Sequence, residues 1–92
     1  MMPTNVLEVK VKRIFKLQNG TGLKAFADII VNDALLIKGL KIFAGESGEL
    51  NVRMPGEKAK DGKWYDNVRC LTNQLKERIA QEVLEAYQTE AN

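Results

Sequence analysis

Lys58, Lys60 and Lys63 fall within six residues of one another in the stretch Gly56-Glu57-Lys58-Ala59-Lys60-Asp61-Gly62-Lys63. Arg53 stands just before this run and Arg69 just after it. Nothing in the run is more apolar than Ala59, and two glycines interrupt it, so it reads as a solvated loop. Ammonium groups on such a segment can meet successive anionic groups of a polyanion and release its counterions. Lysine contacts of this kind give affinity with little readout of sequence. A plainer reading fits the same residues: a solvated loop whose lysines keep a neighbouring strand edge from pairing wrongly.

Other chemistry is poorly supplied. The chain has no histidine, which removes the commonest general base and metal ligand. Cys70 is the single cysteine, with no base beside it, and reads as a small buried apolar residue rather than a nucleophile. Structural zinc would need several Cys or His ligands. The acids Glu46, Glu49, Asp61 and Asp66 lie near turns, where carboxylates face water, and no spacing singles out a pair. Asn19-Gly20-Thr21-Gly22 is too short for a phosphate loop, which opens a helix after a parallel strand. We therefore expect no catalytic residue, no metal and no cofactor.

The elements that would position the cations follow from hydrophobic period. Leu7, Val9 and Val11 alternate with Glu8, Lys10 and Lys12, which predicts a half-buried strand. The phase slips around Arg13-Ile14, as a bulge would produce. The Asn19–Gly22 segment supplies a hairpin loop, and Leu23 to Val31 alternate as a second strand. Asn32-Asp33 predicts a tight turn into a third strand, Ala34 to Phe43, where Gly39 breaks the alternation and marks a bulge or close backbone approach. Gly45-Glu46-Ser47-Gly48 turns the chain into a fourth strand, Leu50 to Met54, which Pro55 ends. After the basic loop and an Asp61-Gly62 turn, Trp64-Tyr65-Asp66 regains a short strand. From Thr72 the period changes: Leu75, Ile79, Val83 and Ala86/Tyr87 recur every three or four residues, with Thr72 or Asn73 as N-cap. The predicted fold is α+β, a four- to five-stranded antiparallel β meander followed by a C-terminal amphipathic helix packed on the sheet.

At 92 residues the chain reads as one domain, and a small one gains from a partner chain. No apolar run approaches the ~20 residues of a membrane helix. The first five residues lack the cationic and apolar regions of a secretory signal, and a lone cysteine suits a reducing compartment, so a cytoplasmic protein with no membrane association is expected. The net charge of +2 hides an asymmetry: residues 1–70 carry +4 and residues 71–92 carry −2. A basic body suits a polyanionic partner, though a solvated surface is often this charged.

The order and spacing of several segments resemble the SpoVG family of small septation and gene regulators. Met54-Pro55, a polar basic loop, Asp61-Gly62, an aromatic and then Asp66 are similar to that family's most distinctive run. Ile79, Val83-Leu84 and Tyr87 match its helix pattern, and Leu7-Glu-Val-Lys-Val-Lys-Arg-Ile14, Leu23-Lys-Ala-Phe-Ala-Asp-Ile29 and Leu36-Ile-Lys-Gly-Leu-Lys-Ile42 fall in register upstream. The resemblance covers residues 6–88. Two departures stand out: Asn67-Val-Arg-Cys-Leu71 replaces a segment that usually holds a proline, and Glu57 sits where the family tends to hold a cation.

The resemblance implies a homodimer that binds DNA, and in some members RNA, and acts in transcription, septation and sporulation. It places nucleic acid on the basic loop, hence on Lys58, Lys60 and Lys63, with Arg53 and Arg69 at the margin. A dimer contact among the meander strands would bring Leu40 and Phe43 near the interface. Phe15, Phe26, Phe43 and Trp64 could form a base-stacking platform, but aromatics more often serve a core or an interface. The alternative function is a dimeric protein-interaction module that binds a cell-division or regulatory protein without touching nucleic acid directly.

Overall fold

The computed structural model describes residues 7–17 and 22–89. Its elements are β1 (Val9–Lys16), β2 (Leu23–Val31), β3 (Leu35–Ala44), β4 (Leu50–Arg53), β5 (Gly56–Lys58), β6 (Trp64–Asp66) and α1 (Asn73–Thr89). Strands β1 to β4 form an antiparallel sheet in chain order, β5 and β6 form a separate two-stranded ribbon, and α1 packs on one face of the larger sheet. This is the α+β meander-plus-helix arrangement expected from the hydrophobic periods. The Asn19–Gly22 hairpin loop lies, but for Gly22, outside the described residues.

Alternation fixes the two faces of the sheet. Val9, Ile14, Ala25, Ala27, Ile29, Ile37, Leu40 and Ile42 point to the helix side and are buried there with Ile79 and Val83. Ala25 and Ala27, with no exposed surface, are small enough to let the helix approach β2 closely. Two irregularities keep this face apolar. Val11 pairs with Ile29 but Arg13 with Asp28, so Lys12 is an extra residue on β1 and shifts the phase between Val11 and Ile14. Ile37 pairs with Ile29 but Leu40 with Ala27, so β3 carries its own extra residue at the Gly39 level. Gly39 has φ +87°, which a side chain would strain, and its N–H donates to Asp28 Oδ1 at 3.1 Å.

Turns follow local chemistry. Asn32 and Asp33 both take positive φ (54° and 52°), the geometry of a two-residue hairpin turn that these residue types tolerate better than most. Asn32 also exchanges hydrogen bonds with the Glu8 backbone, each 2.8 Å, which ties the turn to the start of β1. The helix begins under Thr72, whose Oγ1 accepts the Leu75 N–H at 3.2 Å.

One expectation is corrected. The basic stretch after Pro55 is not wholly loop: Gly56–Lys58 is a strand, pairing Gly56 with Asp66, Glu57 with Tyr65 and Lys58 with Trp64. Gly-Glu-Lys carries no apolar alternation because the ribbon is held by backbone pairing and polar side chains rather than by burial. Asp61 Oδ1 accepts the Lys63 N–H at 2.9 Å and its Oδ2 accepts the Tyr65 hydroxyl at 2.9 Å, while the Trp64 indole N–H donates to Asp66 Oδ1 at 3.0 Å. The turn closes through Gly62, at φ +84°.

Two tests follow from this packing. Ile79→Ala should lower the unfolding free energy by about 2–5 kcal/mol, a large part of the ~5–15 kcal/mol available to a small domain. Leu75→Ala should cost less, since Leu75 is only half-buried. Urea denaturation measures both, and an unchanged midpoint for Ile79→Ala would mean that the helix is not docked.

The hairpin acids give a second test. The Lys63 N–H and then the Tyr65 hydroxyl hold the Asp61 carboxyl below its usual range, and the same bond pushes Tyr65 ionisation up. Because the folded value is depressed, Asp61's contribution to stability is complete above the ordinary aspartate pKa of about 4 and is lost as pH falls through the lowered value. Asp61→Ala should bring Tyr65 ionisation back down, read by absorbance titration of the two tyrosines. An unaltered titration would show that the bond does not form.

Candidate functional site

The five cations expected at a binding surface are all exposed, but the fold sorts them into two groups. Lys58 ends β5, and Lys60 and Lys63 lie in the turn that joins β5 to β6. Arg53 ends β4, and Arg69 lies in the connection from β6 to α1. Arg53 and Arg69 share a cleft of 610 Å³ whose other walls are Val52, Trp64, Tyr65, Asp66 and Lys76. The lysines of the hairpin do not line it.

Trp64 is the joint between hairpin and sheet. Arg53 pairs with Lys41 across β4 and β3, which puts both side chains on the face away from the helix. Lys41 Nζ stands 4.3 Å from the Trp64 ring centre and Arg53 Cζ stands 5.9 Å from it, both within cation–π range. Gly56 makes the position possible: a Cβ there would lie 2.7 Å from the indole nitrogen and 2.5 Å from the Tyr65 carbonyl oxygen. Glu57 pairs with Tyr65, whereas Lys58 pairs with Trp64, so the carboxylate and the lysine project to opposite faces of the ribbon.

The electrostatics of the hairpin follow from its hydrogen bonds. Asp61 and Asp66 are engaged by a backbone N–H, a phenol and an indole. The ion pairs among the described residues join Lys10 to Asp33 and Arg78 to Glu82, so none involves Lys58, Lys60, Lys63, Arg53 or Arg69. Sequence reasoning missed Lys41 and Lys76. Each looks like an ordinary wet position, in a strand and in an amphipathic helix, and only the sheet register and the helix docking bring them to the site. The available hint at Lys76 is its place in the first turn of a helix that has no acid there.

The residues expected at a dimer contact separate. Leu40 has no exposed surface and belongs to the core beneath the helix, so it offers no area to a second copy. Phe43 pairs with Asn51 on the opposite face, where Phe15 is 52% and Leu36 is 47% exposed. Phe26 and Ile30 lie on that face too, by their pairing with Phe15 and Leu36. None of Phe15, Phe26, Phe43 and Trp64 is in the buried core. Cys70 is half-buried against that core, and burial pushes its thiol pKa up, away from nucleophilic character.

The SpoVG family model matches residues 4–89. A relative from Archaeoglobus fulgidus is 35% identical over 81 residues, covering 88% of this chain and 94% of its own. One from Agathobacter rectalis is 33% identical over 78 residues, covering 85% and 88%. One from Bdellovibrio bacteriovorus is 35% identical over 85 residues, covering 92% and 74%. All three are named candidate septation proteins, a name for a role in division and not for a reaction. The match runs from before β1 to the last residue of α1, so sheet, hairpin and helix all fall inside it, and the chain belongs to the SpoVG family.

Proposed function

We propose that this chain is a non-enzymatic, nucleic-acid-binding regulator of the SpoVG type that acts on septation and gene expression from the cytoplasm as a homodimer. The observation that carries the reading is three exposed hairpin lysines outside the ion pairs of the described residues, although Glu57, Asp61 and Asp66 balance their charge over the hairpin as a whole. Among the described residues Lys58, Lys60 and Lys63 have no carboxylate within ion-pair distance: Asp61 and Asp66 accept hydrogen bonds from neutral donors, and Glu57 projects from the other face of the ribbon to Lys58. Such ammonium groups gain from a phosphate backbone by releasing its counterions.

The open face of the sheet supports the dimer. One helix covers one face, and the other presents Phe15, Phe26, Ile30, Leu36 and Phe43 with no layer of the described residues upon it. A second copy set on this face would bury them and place two hairpins on one particle.

Two measurements test the proposal. If each hairpin lysine meets one phosphate, a dimer makes about six contacts and the log–log salt slope on duplex DNA approaches roughly −5. Replacing Lys58, Lys60 and Lys63 together by Glu should abolish retardation of DNA and RNA without changing the melting temperature, because exposed side chains at the end of a ribbon and in its turn contribute little to stability. Retained binding in the triple variant would sink the assignment, and salt-insensitive capture of a protein alone would favour an interaction module. For the dimer, light scattering should give twice the chain mass at micromolar concentration, and Phe43→Glu should yield a folded monomer. A monomeric wild type would refute it.

A further inference from the structure

Four separate elements converge on the cleft beside β4: Arg53 from the strand, Trp64 to Asp66 from the hairpin, Arg69 from the connection and Lys76 from the first turn of α1. At 610 Å³ it lies within the ~300–1,000 Å³ of clefts that hold a small ligand. Three cations face one carboxylate there, and that carboxylate, Asp66, already accepts the Trp64 indole N–H. Neither Arg69 nor Lys76 is in an ion pair with a described residue. Lys76 also stands in the first turn of its helix, where the macrodipole disfavours a cation, so its place is not explained by helix stability. An unpaired cation set of this kind is suited to a phosphate.

A phosphate site alone would not need an aromatic wall. Trp64 supplies that wall: it is fixed at its N–H by Asp66 and from the sheet by Lys41, whereas the Tyr65 ring projects from the opposite face of the ribbon. Rings held in place beside cations are the arrangement on which unpaired bases stack while the backbone is neutralised. A duplex keeps its bases paired and stacked, so only an unpaired nucleotide can use both parts of such a cleft.

We propose that this cleft is a single-strand subsite: an unpaired base lies against Trp64, and its phosphate is held by Arg53, Arg69 and Lys76. The inference rests on the reading of the chain as a nucleic-acid binder and adds to it a preference for unpaired strands. The hairpin lysines, outside the cleft, contact the backbone on either side of that nucleotide.

Trp64 is the single tryptophan of the chain, so its emission reports on the cleft alone. The full-length protein at low salt is titrated with a short oligothymidylate, the same strand with abasic sites at every position, and a duplex of equal length. Oligothymidylate should quench Trp64 and bind about tenfold or more tighter than the abasic strand, as base stacking on an aromatic ring requires. The double variant Arg69→Gln/Lys76→Gln, at two exposed positions, should weaken oligothymidylate binding by about tenfold and duplex binding far less, with an unchanged melting temperature. Oligothymidylate that binds without quenching, an abasic strand that binds as tightly, or a variant that weakens both nucleic acids equally would overturn the subsite and leave the wider function standing. If no nucleic acid binds at low salt, that wider reading falls and the subsite with it.

Discussion

A single helix can bury only one face of a four-stranded sheet, and this one-sided cover sets the terms for every other part of the molecule. Ile79 and Val83 need an apolar floor, so each strand must deliver its aliphatic residues to the same side. Strict alternation would fail to do so in β1 and β3. The extra residues at Lys12 and at the Gly39 level restore the phase, and both shifts occur beside the same β2 residue, Asp28. Its carboxylate then accepts the N–H that the bulged Gly39 directs toward it. A polar residue on the open face thus stabilises an irregularity that exists to keep the opposite face apolar.

What the helix leaves uncovered is where function can reside. The aromatic residues of β1 to β3 stand on the open face, with Ile30 and Leu36, because the bulges keep the core aliphatic residues on the other. Exposed side chains such as Phe15 and Leu36 would be unusual on a face meant for water alone. The edge strand β4 is short, and its last residue, Arg53, points away from the helix, where Trp64 covers it together with Lys41. Sheet and hairpin are thereby joined by cation–π contact and not by a shared core.

The hairpin is stabilised in a different currency from the sheet. It has no buried residue, and its order comes from a turn at Gly62, two engaged aspartates and an indole laid against Gly56. Using the acids in this way has an electrostatic consequence. Carboxylates that accept hydrogen bonds from neutral donors keep their charge but are held away from ion pairing, and the neighbouring lysines remain without ion-pair partners among the described residues. Local structure and binding capacity therefore have the same origin in Asp61 and Asp66.

Sequence alone determined whatever depends on period and on local backbone chemistry. The alternation of Val9 and Val11, the slip at Arg13-Ile14, the turn at Asn32-Asp33, the break at Gly39 and the three-to-four spacing of Leu75, Ile79 and Val83 are near-neighbour effects, so they are legible in the residues themselves. The cations of the hairpin and Arg53 and Arg69 were legible too, as types and spacings. The tertiary structure decided which surfaces meet. Leu40 went to the core because a bulge set its face, and Gly56–Lys58 became a strand because its partner lies across a turn. Lys41 and Lys76, distant in the chain, reached the Trp64 region through sheet register and helix docking. Pairings of that kind depend on long-range closure, which no local pattern of residues encodes.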